Sequence, residues 1–448
     1  MQTNTFGKRN WYMLILFGLL GQIAWSVENM YFNLFVFDTI APDLDAVTLM
    51  VQLSGVTATL TTLLAGTLSD KLGNRRSFIS IGYIIWGVSV ALFAFMNTQT
   101  VQTLFSAPQA QAVSIALTAV IIGDCVMTVF GSTANDAAFN AWVTDNTKAE
   151  FRGKVEGVLS VLPLVAMLIV AGGFGILVEG IGYQALFISL GGVISICGVV
   201  GLFTLKDSPT LAKKGTLKDI VYGFKPSVIK GNAPFYLTLC VMGVYGIACQ
   251  IFMPYLIIYM KTYLGFSVIE YSIVFGLAIA LGAAINIYLG VLSDKKNKTK
   301  LLYIALCVMS AGLIGMYFAD FTSHIATLIL FGVFGFVMIT GYIFVSALCG
   351  ALTRDYTPEN DAGKLQGVRM LFCVLIPMVL GPMIGNAVNK AKNIPLPDSS
   401  GADILTTQYI PAPAIFLVGG LVALAALALV PVLAKTAQKK KENHKHAS

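Results

Sequence analysis

Charged residues are scarce in this sequence. Asp, Glu, Lys and Arg make up only 11% of its 448 residues, while 56% of the residues are hydrophobic and the mean hydropathy is +0.79. An ordinary soluble domain has about a quarter charged residues. The composition therefore excludes a disordered chain, a fibrous chain and a typical cytosolic enzyme, and it indicates a polytopic membrane protein.

Residues that build common enzyme centres are equally scarce. Only three histidines are present (His324, His444 and His446), and they form no metal-binding pair. The seven cysteines fall inside apolar segments and lack C-x-x-C spacing, so we interpret them as small buried hydrophobes without a disulfide framework. The sequence contains no P-loop and no plausible nucleophile–base pair. We therefore expect a protein that is not an enzyme and that needs no cofactor and no metal.

Apolar runs long enough to cross a membrane recur along the whole chain. A spanning helix needs about 20 apolar residues. We number the twelve runs spans 1 to 12, and they lie at 11–37, 46–68, 77–96, 111–143, 155–178, 183–204, 234–260, 268–292, 301–319, 324–352, 365–388 and 410–434. Span 1 is too long for the core of a signal peptide, so we expect it to be retained as the first helix.

The basic residues are distributed very unevenly between the two ends of these spans. Of the 29 lysines and arginines, 26 fall at the two termini and in the loops on the same side, and only Lys261, Lys390 and Lys392 fall on the other. The positive-inside rule then places both termini in the cytoplasm. The net charge of +7 is thus mainly a topology signal and indicates no nucleic-acid partner. The basic tail at 435–445 either touches anionic lipid headgroups or is a solvated flank.

The two halves of the sequence are similar to each other. The loop after span 2, Gly66-Thr-Leu-Ser-Asp70-Lys71, returns after span 8 as Gly290-Val-Leu-Ser-Asp294-Lys295, and Asp145…Gly153-Lys154 after span 4 returns as Asp355…Gly363-Lys364 after span 10. Two six-helix halves related by duplication are typical of transporters, whose site lies between the repeats. We therefore predict an all-α membrane protein with twelve transmembrane helices in two six-helix bundles, at 1–205 and 232–448, joined by a basic cytoplasmic linker at 206–231.

The repeated loop resembles the signature of a known transporter family. The pattern Gly66-x-Leu-Ser-Asp70-Lys-x-Gly73-x-Arg75-Arg76 is similar to the loop between helices 2 and 3 of the major facilitator superfamily, and with the repeat this resemblance covers the whole chain. It implies alternating access, with Asp70 facing the start of span 11 and pairing with Arg75 or Arg76 in a cytoplasmic latch. Gly66 would permit close helix packing, and Asp294 with Lys295 would form a weaker mirror latch. The alternative is a charged loop that only sets the topology.

Two further stretches resemble sugar carriers within that superfamily. Gly21-Gln22-Ile-Ala-Trp25-Ser26-Val-Glu28 in span 1 is similar to a stretch of the plant sucrose carriers, and Asn135-Asp136-Ala-Ala-Phe139-Asn140-Ala141 in span 4 is similar to one of the glycoside–pentoside–hexuronide cation symporters. The resemblance implies sugar transport coupled to a cation. The sequence departs from the glycoside symporters on span 2, where Ala58 and Thr62 replace their paired aspartates, and on span 5, which lacks their sugar-binding arginine.

Three acidic residues lie inside the spans and away from their ends: Glu28, Asp124 and Asp136. A charge in the bilayer interior costs at least about 2.5 kcal/mol, so each acid is a candidate coupling residue. A carboxyl group in a low-dielectric cavity favours its neutral form, which suits a proton carrier. No lysine or arginine lies in the middle of a span to neutralise them, so at least one should be protonated or bind a cation during the cycle. The alternative is a satisfied polar contact between helices.

Span 1 also carries a narrow polar stripe. In a regular helix, Gln22, Ser26, Asn29 and Asn33 fall within about 60° of one another, and Trp25 flanks them. Amides beside an aromatic ring suit a sugar, whose hydroxyls need hydrogen bonds while its C–H face stacks. In the second half, the matching candidates for substrate contact are Tyr245, Gln250, Tyr255 and Tyr342. The alternative for all of these residues is ordinary packing between helices.

These observations together predict a secondary active transporter. We expect import of a glycoside or small oligosaccharide by proton-coupled symport. The alternatives are sodium coupling, proton-coupled export of small amphiphiles, or a non-transporting nutrient sensor on a carrier fold. We expect a monomer in a bacterial-type plasma (inner) membrane, whose partners are lipid, the sugar, and a proton or a sodium ion.

Overall fold

The computed structural model describes residues 7–147, 151–208, 221–358, 365–396 and 409–447; the side chains of residues 152, 153, 291–295, 366 and 440–447 lie outside that description. The chain divides into two units, with the boundary between Leu217 and Lys218. Unit 1 contains the described residues up to 208 together with Leu396, and unit 2 contains 221–395 and 409–447. The boundary falls inside the segment that we predicted as a linker.

Unit 1 is built from long apolar helices. Five of its described helices are long and apolar enough to cross a membrane: α1 (Lys8–Thr39), α2 (Leu44–Leu72), α3 (Arg75–Phe95), α4 (Gln109–Asn146) and α5 (Lys154–Thr204). A short helix, Thr98–Phe105, lies between α3 and α4. Side chains cap two of the starts, because Asp43 accepts hydrogen bonds from the first backbone amides of α2 and Asn74 accepts one at the start of α3.

Unit 2 contains six helices of the same kind among its described residues. They are α6 (Ala233–Thr262), α7 (Val268–Gly290), α8 (Lys298–Tyr317), α9 (His324–Tyr356), α10 (Gly367–Lys392) and α11 (Ala414–Lys439). A short helix, Pro226–Gly231, precedes α6. Two-residue strands β1 (Ile394–Pro395) and β2 (Tyr409–Ile410) pair antiparallel. α7 begins at a capping box in which Ser267 and Glu270 exchange hydrogen bonds.

The described residues thus contain eleven candidate spanning helices, whereas the sequence predicted twelve spans. α1 to α4 correspond to spans 1 to 4, α6 to α11 correspond to spans 7 to 12, and α5 joins spans 5 and 6. α5 has 51 residues. At about 1.5 Å per residue it would measure about 77 Å, more than twice the thickness of a bilayer's hydrocarbon core. Its backbone leaves helical geometry at Gly182 (φ 76°, ψ 165°), a conformation that glycine adopts without strain.

The outward faces of these helices are apolar. Large hydrophobic side chains remain exposed, including Phe203 at 80%, Ile287 at 74% and Tyr288 at 72%. Extensive exposed apolar surface is unfavourable in water, but it is the expected surface of helices that contact lipid.

α3 and α5 cross in direct backbone contact. A Cβ atom added to Gly87 would lie 2.3 Å from the carbonyl oxygen of Gly191, and one added to Gly191 would lie 2.3 Å from the carbonyl oxygen of Gly87. Further along the same crossing, a Cβ on Gly198 would lie 2.6 Å from the backbone of Ser80 and of Ile84. Only glycine fits where these backbones meet, because any side chain would force the helices apart.

Four of the helices contain a widened, π-helical segment. These segments cover Glu28–Phe32 in α1, Ser132–Phe139 in α4, Val170–Phe174 in α5 and Leu371–Leu375 in α10. A π-helical turn inserts a residue into the helical repeat and is frequently found at functional sites. Two of the three predicted coupling acids, Glu28 and Asp136, lie in such segments.

Candidate functional site

The three predicted coupling acids all lie in unit 1, on α1 and α4. Glu28 is 6% exposed and Asp124 is 1% exposed, whereas Asp136 is partly buried. The charges of Asp124 and Asp136 both act on Glu28, so the structure brings each of these two carboxyl groups within electrostatic range of Glu28. Within the described residues, no basic side chain forms an ion pair with any of them.

Glu28 is held by hydroxyl groups from two other helices. Ser54 Oγ on α2 donates to Glu28 Oε1 at 2.7 Å, and Thr128 Oγ1 on α4 lies 3.4 Å from the same oxygen. Thr128 Oγ1 is also 3.0 Å from Ser54 Oγ, so its single hydrogen is donated either to Ser54 or to Glu28. Glu28 Oε2 is buried without a hydrogen-bond partner among the described residues. Because an unsatisfied buried carboxylate oxygen is costly, Oε2 is a natural position for a bound proton or cation.

Asp124 adds a second unsatisfied oxygen to this region. It lies one helical turn before Thr128, so both side chains are on the same face of α4. Its Oδ1 is also buried without a partner in the part of the chain that the structure describes. Two buried carboxyl groups that repel each other cannot both stay ionised without compensation. The arrangement of Glu28 and Asp124 can therefore hold a proton or a monovalent cation.

Asp136 is bound mainly within its own helix. Ser132 Oγ donates to Asp136 Oδ2 at 3.0 Å. The indole of Trp25 on α1 is close enough to act on the same carboxyl group, although its Nε1 has no partner at hydrogen-bonding distance among the described residues. Asp136 thus connects the acids to the predicted substrate stripe of α1.

An aromatic cluster beside the acids was not predicted from the sequence. The rings of Trp25 and Trp86 are 5.0 Å apart, and those of Trp86 and Tyr83 are 5.4 Å apart. The Tyr83 hydroxyl donates to the carbonyl of Phe17 at 2.7 Å and accepts from Asn135 Nδ2 at 2.7 Å. α3 carries no polar stripe, so its periodicity gave no reason to select Tyr83 or Trp86. The one sequence feature that could have indicated this cluster is Asn135, a polar residue within span 4 next to Asp136.

The predicted polar stripe of α1 is partly present. Gln22, Trp25, Ser26 and Asn29 are all partly exposed, but Asn33 is 1% exposed. Both asparagine amides donate back to their own helix, from Asn29 to the Trp25 carbonyl at 2.7 Å and from Asn33 to the Asn29 carbonyl at 3.0 Å. The stripe was derived for a continuous α-helix. The extra residue of the Glu28–Phe32 turn rotates the remainder of α1 by about 100°, which takes Asn33 off the stripe.

The predicted substrate residues of unit 2 fall into two groups. Tyr245 is 8% exposed, and its ring lies 6.3 Å from that of the partly exposed Tyr342. Gln250 is also partly exposed. Tyr255 is fully buried, and its hydroxyl donates to the carbonyl of Pro382 at 2.9 Å. The structure therefore places Tyr255 in the packing between α6 and α10 and not on an accessible surface.

The loop between α2 and α3 contains a buried arginine between two acids. Arg75 is 5% exposed and forms ion pairs with Asp70 and with Asp145, the latter at 3.0 Å from Nε to Oδ2. Its Nη1 also donates to Ser69 Oγ at 2.5 Å. The sequence marks Asp145 only as part of the internal repeat, so its pairing with Arg75 is a finding of the structure. Arg75 thus joins the start of α3 to the ends of α2 and α4.

Arg76 and Gly66 have different surroundings from Arg75. Arg76 is exposed, and it contacts the end of α5, since its backbone N–H donates to Asp207 Oδ1 at 2.9 Å and its guanidinium donates to the Leu202 carbonyl. The close helix packing expected at Gly66 is absent among the described residues, because an added Cβ would meet only the Cβ of Ala137, at 4.0 Å. The open space beside Gly66 leaves room for a larger residue.

A second ion pair occupies the equivalent place in unit 2. The side chains of Asp294 and Lys295, predicted as a mirror latch, lie outside the described residues. Lys298 Nζ instead binds Asp355 Oδ2 at 2.6 Å. Arg75 and Lys298 are each the first residue of their helix, and Asp145 and Asp355 each lie next to the end of theirs. The internal repeat therefore extends to the pairing of side chains.

Comparison with known proteins gives both a family and a fold. Residues 14–382 match the sequence profile of the Major Facilitator Superfamily. The crystal structure of a D-xylose-proton symporter matches with a TM-score of 0.70 and 15% identity, covering 93% of this chain and 96% of that chain. The crystal structure of the nucleoside transporter NupG matches with a TM-score of 0.65 and 11% identity, covering 95% of this chain and 98% of that chain. The structure of a point mutant of NupG matches with a TM-score of 0.68 and 11% identity, covering 94% of this chain and 99% of that chain. No curated protein matches the sequence.

Proposed function

The chain belongs to the Major Facilitator Superfamily of membrane transporters, and on that premise we propose that it imports a glycoside or small oligosaccharide with protons by alternating access. The observation that carries the proton assignment is the environment of Glu28. This carboxyl group is buried, one of its oxygens is bound by hydroxyls, and the other has no partner among the described residues. A permanent ion pair would keep such an acid ionised, whereas hydroxyl partners allow it to take up and release a proton.

The α1 stripe supports a sugar as the substrate. Gln22, Ser26 and Asn29 offer hydrogen-bonding groups on a partly exposed face, and Trp25 adds an aromatic surface. The related structures are named for transport of D-xylose and of nucleosides, which are also hydroxylated ring compounds. A sugar or glycoside is the substrate class that fits these side chains.

The proton gradient supplies enough free energy for this task. One charge that crosses 100 mV contributes about 2.3 kcal/mol, and one unit of pH gradient adds about 1.4 kcal/mol. Their sum of about 3.7 kcal/mol supports several hundredfold accumulation at one proton per sugar. One carboxyl group that is alternately protonated and deprotonated is therefore sufficient.

We also propose that the chain crosses the membrane twelve times. The break at Gly182 supports two crossings within α5, which gives twelve in total with the ten other helices. Twelve crossings place both termini on the same side, and the asymmetry of basic residues makes that side the cytoplasm. A monomer in a bacterial-type plasma membrane is the form in which we expect the carrier to act.

Glu28→Gln tests the proton assignment in proteoliposomes. The neutral amide cannot carry a proton, so the several hundredfold accumulation of labelled disaccharide under an inward proton gradient should fall to about equal concentrations on both sides. Counterflow exchange of the same sugar should continue, because exchange needs no net proton movement. Asp45→Asn, which removes an exposed acid at the start of α2, is the matched control and should leave accumulation intact.

Two further measurements separate the alternatives. Accumulation that follows a sodium gradient and ignores a pH gradient would contradict proton coupling. A thermal-shift screen of the detergent-purified protein with disaccharides, aryl glycosides, D-xylose and nucleosides identifies the substrate class. Stabilisation by amphiphilic cations, without any response to sugars, would contradict sugar transport and favour an exporter.

A further inference from the structure

Three buried side chains meet where α1, α2 and α4 come together in unit 1. Ser54 is 3% exposed, Thr128 is 0% exposed and Glu28 is 6% exposed. Each comes from a different helix, and their oxygens form a triangle with sides of 2.7, 3.0 and 3.4 Å. The hydroxyls therefore lie at hydrogen-bonding distance from the acid that we propose to carry the proton.

The number of hydroxyl hydrogens determines which of these oxygens donate and which accept. Each hydroxyl has one hydrogen to donate. The shortest contact assigns the Ser54 hydrogen to Glu28 Oε1. The Thr128 hydrogen then points either to Ser54 Oγ or to the same carboxylate oxygen. In the first case the two bonds form a chain that ends on Oε1, and in the second case both hydrogens point to Oε1. Hydrogen bonds that end on an ionised group are about twice as strong as neutral ones.

We propose that Ser54, supported by Thr128, is a positioning residue that stabilises ionised Glu28 and thereby sets the pH at which Glu28 releases its proton. The inference rests on the proposed proton coupling and specifies how it is tuned. Protonation at Oε2 removes the charge at Oε1 and weakens both hydroxyl bonds. The strength of the hydrogen bonds that connect α2 and α4 to α1 at this point therefore depends on whether Glu28 is protonated.

Among the described residues, Asp124 and Asp136 are the carboxyl groups that act on Glu28. Asp124 is on the same face of α4 as Thr128, and its unpartnered Oδ1 repels an ionised Glu28. Asp136, bound by Ser132, acts in the same sense from one end of the region. The hydroxyls of Ser54 and Thr128 have the opposite effect to the two aspartates, because their hydrogen bonds favour the ionised form of Glu28. Removing these hydroxyls should therefore move proton release to higher pH.

Ser54→Ala is the direct test, and infrared difference spectroscopy of the carboxylic C=O stretch is its readout. The band of protonated Glu28 is identified by its loss in Glu28→Gln, and its intensity is followed against pH in the detergent-purified full chain. Losing one hydrogen bond to a charged group should raise the midpoint by about one to two pH units. Thr128→Val should raise it by less, since the Ser54 bond remains.

Two variants act as controls. Ser54→Thr keeps a hydroxyl at the same place and should retain the wild-type midpoint. Ser89→Ala removes a buried serine hydroxyl on α3 that donates to the Trp86 carbonyl, and it should also leave the midpoint unchanged. If Ser54→Ala does not fold, Thr128→Val and Ser54→Thr still decide the question.

The inference is overturned if Ser54→Ala and Thr128→Val lower stability or uptake while the Glu28 midpoint stays where it is. That result would mean that the hydroxyls only hold helices together. The infrared titration needs no substrate, so it remains informative if no sugar is transported. A normal proton-driven uptake with an unchanged midpoint would reject the role of Ser54 alone and leave the proposed function in place.

Discussion

Arg75 and Lys298 occupy equivalent positions in the two halves of the chain, but their surroundings differ. Arg75 is 5% exposed and lies between two acids, whereas Lys298 is 27% exposed and, among the described residues, pairs with one acid that is 49% exposed. Exposed ion pairs contribute about 0–1 kcal/mol because water and salt screen them. Hydrogen bonds to a buried charge contribute about 1.5–3 kcal/mol. The ion pairs of Arg75 should therefore contribute more to stability than the ion pair of Lys298, although the two residues hold equivalent positions in the repeat.

Asp145→Asn and Asp355→Asn form a matched pair that measures this difference. The first removes a charge from buried Arg75 and should lower the free energy of unfolding by about 1–2 kcal/mol. The second should lower it by less than about 1 kcal/mol. Chemical denaturation of the purified protein, repeated at high salt, provides the comparison. Equal losses from the two substitutions would contradict the unequal burial of the two ion pairs.

At the scale of the helix, the crossing of α3 and α5 makes a sharp prediction. Gly191→Ala would place a methyl group 2.3 Å from the Gly87 carbonyl oxygen, and backbone atoms cannot move aside as a flexible side chain can. We expect a loss of stability of about 1–3 kcal/mol, the usual effect of overpacking. Gly192→Ala, one residue along, meets nothing within 4 Å and is the control. Thermal unfolding in detergent should separate the two variants, and similar melting temperatures would refute the close contact.

The positions of the helices could be predicted from the sequence, but several local features could not. Apolar length alone located the spans, and the interval between spans 5 and 6 coincides with the break at Gly182. The π-helical turns have no residue pattern that hydropathy detects, which is why Asn33 was assigned to a stripe that it does not join. Glu28 was selected because a charge in the membrane is unusual. Its partner Ser54 was not selected, because a serine in such a helix is common.

For the whole molecule, the number of crossings decides on which sides of the membrane the two ends lie. An even number puts both termini on one side, and an odd number puts them on opposite sides. Reporter cysteines at Lys8 and Lys439 should therefore both react with an impermeant thiol reagent from the cytoplasmic side, whereas one at Lys261 should react only from outside. The seven native cysteines are buried or half-buried and give a low background. Reaction of the two ends from opposite sides would contradict twelve crossings.

The backbone contact at Gly87 and Gly191 also has a mechanical consequence. A change in the angle between α3 and α5 would drive backbone atoms into each other, so in unit 1 these two helices form a stiff pair. Bending is easier where the regular ladder of backbone hydrogen bonds is already altered, as it is in the π-helical turns of α1 and α4. Glu28 and Asp136 lie in those turns. The acids that we propose to gain or lose a proton therefore lie where their helices bend most readily, and we expect a change in charge there to be passed on to the shape of the helix.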